Sequence, residues 1–87
     1  MTELENKLST DIMEAILAYI EGEKSFRSVL SLGITAHSKS HRLTNETLKD
    51  VIAQLSEMGN QMGNGKKFSK EQIRLKFTTF LEELTKD

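Results

Sequence analysis

Leu48, Val51, Ile52, Leu55 and Met58 follow a 3, 1, 3, 3 spacing. That spacing lines up on one face of an α-helix and scatters over both faces of a strand. A chain with such a stripe near its centre must bury it against other amphipathic elements. With no proline to break a helix, the same periodicity is free to recur on both sides. Upstream, Leu8, Ile12, Ile16 and Ile20 repeat at i+4 with Leu4 one turn earlier, which predicts a helix from Thr2 or Ser9 to Glu21. Thr2 and Glu5 have the spacing of a capping box, Gly22 supplies a left-handed stop, and the acids of this helix are expected on its outside.

Ser25 is placed to cap a short second helix with Phe26, Val29 and Leu30 facing inward, and Gly33 is expected to end it. From Ile34 to Arg42 the apolar rhythm is lost, so the segment reads as a loop, a short hairpin or a frayed helix anchored by Ile34 and Leu43. Thr44 or Asn45 caps the central helix. Gly59 to Lys67 holds three glycines and two asparagines, the composition of a flexible loop or a glycine-turned hairpin. Ser69 and Gln72 form a second capping box, with Phe68 and Ile73 at the staple positions. Beyond it, Ile73, Phe77, Phe80, Leu81 and Leu84 make a last apolar stripe that Leu75 does not join. On so short a chain, Phe77, Phe80 and Leu84 serve either the core or a homodimer or partner contact through the C-terminal helix. The expectation is one all-α domain over 1–87: a small bundle of about four helices, with room for a short β-hairpin or wing.

Composition narrows the chemistry. Without cysteine there are no disulfides, thiolate metal sites or nucleophilic thiols, and with no apolar leader the expected location is cytoplasmic. Apolar windows such as Ile16 to Ile20 fall far short of the roughly 20 residues that span a bilayer. The net charge of −1 hides an asymmetry: residues 1–23 carry six acids against Lys7, while residues 24–49 carry five bases against Glu46. His37 and His41 lack a neighbouring third ligand, and Lys67 stands where a phosphate-binding loop needs Ser or Thr. No enzyme, metal or cofactor is expected.

In GEKSFRSVLSLGIT, the residues Gly22, Ser25, Arg27, Val29, Leu32, Gly33, Ile34 and Thr35 resemble the first helix and turn of helix-turn-helix DNA-binding domains. The longer run LGITAHSKSHRLTNETLKDVI is similar to the segment that follows the catalytic domain of large serine recombinases, with Leu43, Thr44, Thr47 and Leu48 at its helix start. The resemblance implies a helix-turn-helix-like bundle acting as a small transcriptional regulator on double-stranded DNA. A helix beginning near Thr44 would then enter the major groove. Physical reasoning assigns base-edge contacts to Thr44, Asn45, Thr47 and Lys49, and backbone contacts to Lys39, Ser40, His41 and Arg42. Lys66 and Lys67 would sit at the tip of a wing. The alternative is a helical regulator or inhibitor that binds a larger protein, with a faint likeness to small phage anti-sigma proteins.

Overall fold

The computed structural model describes residues 1–86. Among them are four α-helices, α1 (Glu3–Ile20), α2 (Phe26–His37), α3 (Glu46–Gly63) and α4 (Lys70–Thr85), with a 3-10 turn at Ser40–Arg42 and no strand. The all-α bundle expected from the apolar spacing is therefore the fold.

Each helix starts where a short polar side chain satisfies backbone N–H groups that have no partner within the helix. Thr2 and Ser69 complete reciprocal capping boxes with Glu5 and Gln72. Ser25 accepts from the Ser28 N–H, and Asn45 accepts from the Leu48 N–H. Two of the helices end in the same way. After α1, Glu23 N–H donates to the Ala18 carbonyl and Gly22 N–H to that of Tyr19; after α3, Lys66 donates to Gln61 and Gly65 to Met62. Both pairs are Schellman closures, and Gly22 (φ 83) and Gly65 (φ 92) provide the left-handed residue that the motif needs.

Gly33 plays a different part from the expected stop. It is buried inside α2, where a methyl group would collide with the side chain of Leu55 on α3. The missing Cβ lets two helix backbones approach, and the helix runs on to bury Ala36. Residues 34–37 are thus helical, and the chain reaches α3 through the 3-10 turn and the buried anchor Leu43. Ile34 is not the second anchor: it is 45% exposed and lies over Gly59.

The glycine-rich segment also departs from expectation. Helix α3 continues through Gly59 to Gly63 because Met58 and Met62 extend its apolar stripe, and only residues 64–69 form the turn to α4. No hairpin or wing forms there.

Pairing of α2 with α3 is antiparallel and side by side. Gly33 meets Leu55, Leu30 and Ile34 meet Gly59, and Phe26 reaches Phe68 just beyond α3. The core lies between these helices and the inner faces of α1 and α4. Leu8, Ile12 and Ile16 are buried as the spacing predicts, but Ile20 emerges into solvent, since an i+4 series drifts about 40° around a helix at each step, and Leu17, about 100° round from Ile16, is exposed as well. Phe77, Phe80 and Leu84 are 0%, 1% and 6% exposed. They belong to the core of a single chain, so a dimer or partner contact cannot be built on them. Phe77 packs against Tyr19 at 5.4 Å, Phe26 at 5.9 Å and Phe80 at 6.2 Å between ring centroids.

Candidate interaction surfaces

Glu5 overturns the expectation that the acids of α1 all face water. Its side chain is fully buried, because position 5 falls on the same stripe as Leu8, Ile12 and Ile16. The carboxylate accepts from Thr2 N–H at 3.0 Å, closing the capping box, and then reaches across the bundle. There it accepts from Thr44 N–H at 3.0 Å, Asn45 N–H at 2.6 Å and the Thr44 hydroxyl at 3.4 Å. One carboxylate therefore closes the start of α1 and braces the start of α3. The Thr2 N–H and then the Asn45 N–H lower its pKa from 4.5 to about 2; burial opposes them, and the Thr44 N–H and Thr2 hydroxyl add to the lowering.

That arrangement changes what the expected DNA-contacting residues do. Thr44 and Asn45 serve the framework through their N–H groups, and the Asn45 side-chain oxygen is engaged by the Leu48 N–H at 2.9 Å. Thr47 is half-buried in a shallow groove with Glu46, Asp50, Glu83 and Lys86, where carboxylates outnumber the ammonium. Lys49, also half-buried, holds its Nζ 3.9 Å from the Glu46 carboxylate. On the outward side of α3, Glu46, Asp50, Ala53, Glu57 and Asn60 are exposed and bring three carboxylates, against which stands Lys49 alone, beside Glu46.

Lys39, His41 and Arg42 stand exposed on the 3-10 turn, with Ser40 half-buried among them. His37 closes α2 and His41 lies in the turn, so the two do not share a helix. Among the described residues no three His, Asp or Glu side chains are grouped to hold a metal ion, and no helix is long and apolar enough to cross a membrane. Lys66 and Lys67 lie past the other end of α3, roughly 27 Å away for an 18-residue helix. The structure therefore brings residues 39–49 together and separates them from Lys66 and Lys67.

Those two lysines have other company. Lys66 and Lys67 line a shallow groove with Arg27, Phe26, Met62 and Phe68, and the Lys66 ammonium lies 5.1 Å from the Phe68 ring centre. A neighbouring groove joins Lys24, Lys70 and Arg74 to Tyr19 and Ile20. The aromatic contact between Phe26 and Phe68, at 6.1 Å, links the starts of α2 and α4 at this end. No family model, curated protein or solved structure matches the chain.

Two features escaped the sequence reading. The inward heptad position of Glu5 was a usable signal for its burial. The cationic end carried none, since its members come from two distant stretches, 24–27 and 66–74, and the second lies in a part of the chain whose charges balance.

Proposed function

We propose that this chain is a non-catalytic helical regulator, working in the cytoplasm, that acts by binding a larger protein. The observation that carries the reading is the outward side of α3, where Glu46, Asp50 and Glu57 are exposed and only Lys49, paired with Glu46, offsets them. A helix inserted in the major groove runs between two rows of phosphates, and three carboxylates offset by a single lysine, Lys49 beside Glu46, oppose that approach. The Asn45 side chain caps α3 and the Thr44 and Asn45 N–H groups bind Glu5, which supports a framework role for them beside the exposed Thr44 side chain. Small helical domains commonly act through surface contacts with grooves or helices of a partner, which needs none of the convergent groups of an enzyme.

DNA binding and transcriptional regulation form the second reading, favoured by one observation: Lys39, His41 and Arg42 are exposed and enter no ion pair among the described residues. The readings separate in two experiments. The tagged chain, mixed with nuclease-treated host lysate, is expected to retain one dominant protein in stoichiometric amount. A titration with random duplex at low salt is expected to give no complex. A complex that weakens steeply with salt, and is lost in the Lys39→Ala/Arg42→Ala variant, would reverse the choice.

A further inference from the structure

We propose that the end of the bundle where α2 and α4 begin is the docking surface for an acidic, partly apolar segment of the protein partner, an inference that rests on the protein-binding reading above. Six cations converge there, Lys24, Arg27, Lys66, Lys67, Lys70 and Arg74, all exposed and none in an ion pair among the described residues. Glu21, Glu23 and Glu71 share this end and Asp11 and Glu14 line a further groove with Lys24, so the excess of cations is concentrated on the side of Arg27, Lys66, Lys67, Lys70 and Arg74. The positive ends of the α2 and α4 dipoles lie here beside the negative ends of α1 and α3, so the helix dipoles offset one another and the field comes from the side-chain cations. The rest of the chain outweighs this region with negative charge, since the total is −1; the field is local and orients a partner on this end.

Charge alone would suit any polyanion, and the groove floors select among them. Tyr19 and Ile20 lie between Lys24, Lys70 and Arg74, while Phe26, Met62 and Phe68 lie between Arg27, Lys66 and Lys67. Ile20 is 38% exposed, and Tyr19, Phe26, Met62 and Phe68 are half-buried, so each floor presents apolar surface beside ammonium and guanidinium groups. A peptide that alternates carboxylates with apolar side chains satisfies both the rim and the floor. Duplex DNA offers phosphates to the rim and no apolar surface to the floor, and the half-buried rings do not form the open stacking platform that single strands use.

The test is fluorescence anisotropy of the full chain with a labelled amphipathic peptide built from Glu and Leu, measured beside a neutral Gln and Leu peptide and a labelled random duplex. The acidic peptide should bind and weaken with salt, and the neutral peptide and the duplex should bind at least about tenfold more weakly. Lys24→Glu/Arg74→Glu and Arg27→Glu/Lys67→Glu should each reduce acidic-peptide affinity by about tenfold or more with unchanged circular dichroism. Lys39→Glu/Arg42→Glu, at the opposite end, should leave it within about twofold. If a reversal pair fails to fold, the comparison of acidic with neutral peptide on the unaltered chain still decides. Equal binding of both peptides, tighter binding of the duplex, or indifference to both reversal pairs overturns the proposal. Retention of the lysate partner by both reversal pairs would sink this docking surface and leave the protein-binding reading standing; a lysate experiment with no partner would sink that reading itself.

Discussion

Where α1 and α3 begin, a carboxylate is buried and four donors from two distant segments converge on it; where α2 and α4 begin, six cations stand in solvent with no acid among the described residues paired to them. Both ends are rich in charge, but the charge does different work. A buried ion is tolerable only when its lone pairs are satisfied, so the Glu5 carboxylate is committed to holding the fold together. Exposed cations gain little from their own chain and are free to gain from a partner. The contrast teaches that stability and binding should separate cleanly in this molecule: substitutions at the Glu5 end should change melting, and substitutions at the cationic end should change affinity.

The largest expected effect is at Glu5. In Glu5→Ala the N–H groups of Thr2, Thr44 and Asn45 lose their acceptor together, and buried donors without acceptors are costly. Thermal melting followed by circular dichroism should fall by roughly 10 °C or more. A drop of only a degree or two would mean that water replaces the carboxylate and the two ends are alike. Next comes a control midway between the ends. Gly33→Ala should lose about 1–3 kcal/mol because the added methyl meets the base of the Leu55 side chain, which cannot swing aside. Gly59→Ala meets the outer part of the exposed Ile34 side chain, at 2.7 Å from its Cδ1 and 3.3 Å from its Cγ1. That part can rotate, and the gain in helix propensity of about 0.5–1 kcal/mol offsets the contact. Urea unfolding of both variants would check the difference in sign or size.

The caps sharpen the comparison further. Asn45→Ala and Ser69→Ala each remove one capping bond, a loss of about 1 kcal/mol. Asn45→Ala should cost no more than Ser69→Ala, because Glu5 still accepts from the residue 45 backbone. A much larger loss at Asn45 would show that its side chain, and not Glu5, organises the start of α3. The smallest effect belongs to the exposed cations: Lys24→Glu/Arg74→Glu should shift unfolding free energy by less than about 0.5 kcal/mol.

What was legible in the sequence is what local rules govern. The two capping boxes, the Gly22 stop, the α3 stripe and the exposure of Leu75 all follow from periodicity and short-range hydrogen bonding. Glycine was ambiguous because the same letter serves two ends: Gly22 and Gly65 supply positive φ, whereas Gly33 supplies the absence of a Cβ, a need that only the position of Leu55 reveals. The bracing of α3 by Glu5 spans 39 and 40 positions in sequence, beyond the reach of any local pattern. Of the expected contact residues, Lys39, His41, Arg42 and Thr44 are exposed as a DNA contact requires, while the Asn45 side chain caps α3 and the Thr44 and Asn45 N–H groups bind a carboxylate that no local pattern places opposite them.

The central claim is that Glu5 remains ionised inside the fold because its donors hold it so, and this carries a definite sign. A carboxyl whose folded pKa lies at about 2, against 4.5 for its ordinary value, contributes stability that is complete above pH 4.5. That contribution declines as pH falls from about 4.5 toward 2, where the folded-state group takes up its proton. The most direct measurement is a titration of the Glu5 carboxyl carbon by NMR on the folded chain, assigned by its loss in Glu5→Gln. A midpoint near pH 2, or acid unfolding before any midpoint is reached, is the predicted result. A midpoint near 4.5 in a chain that stays folded would place the carboxylate in water and contradict the account.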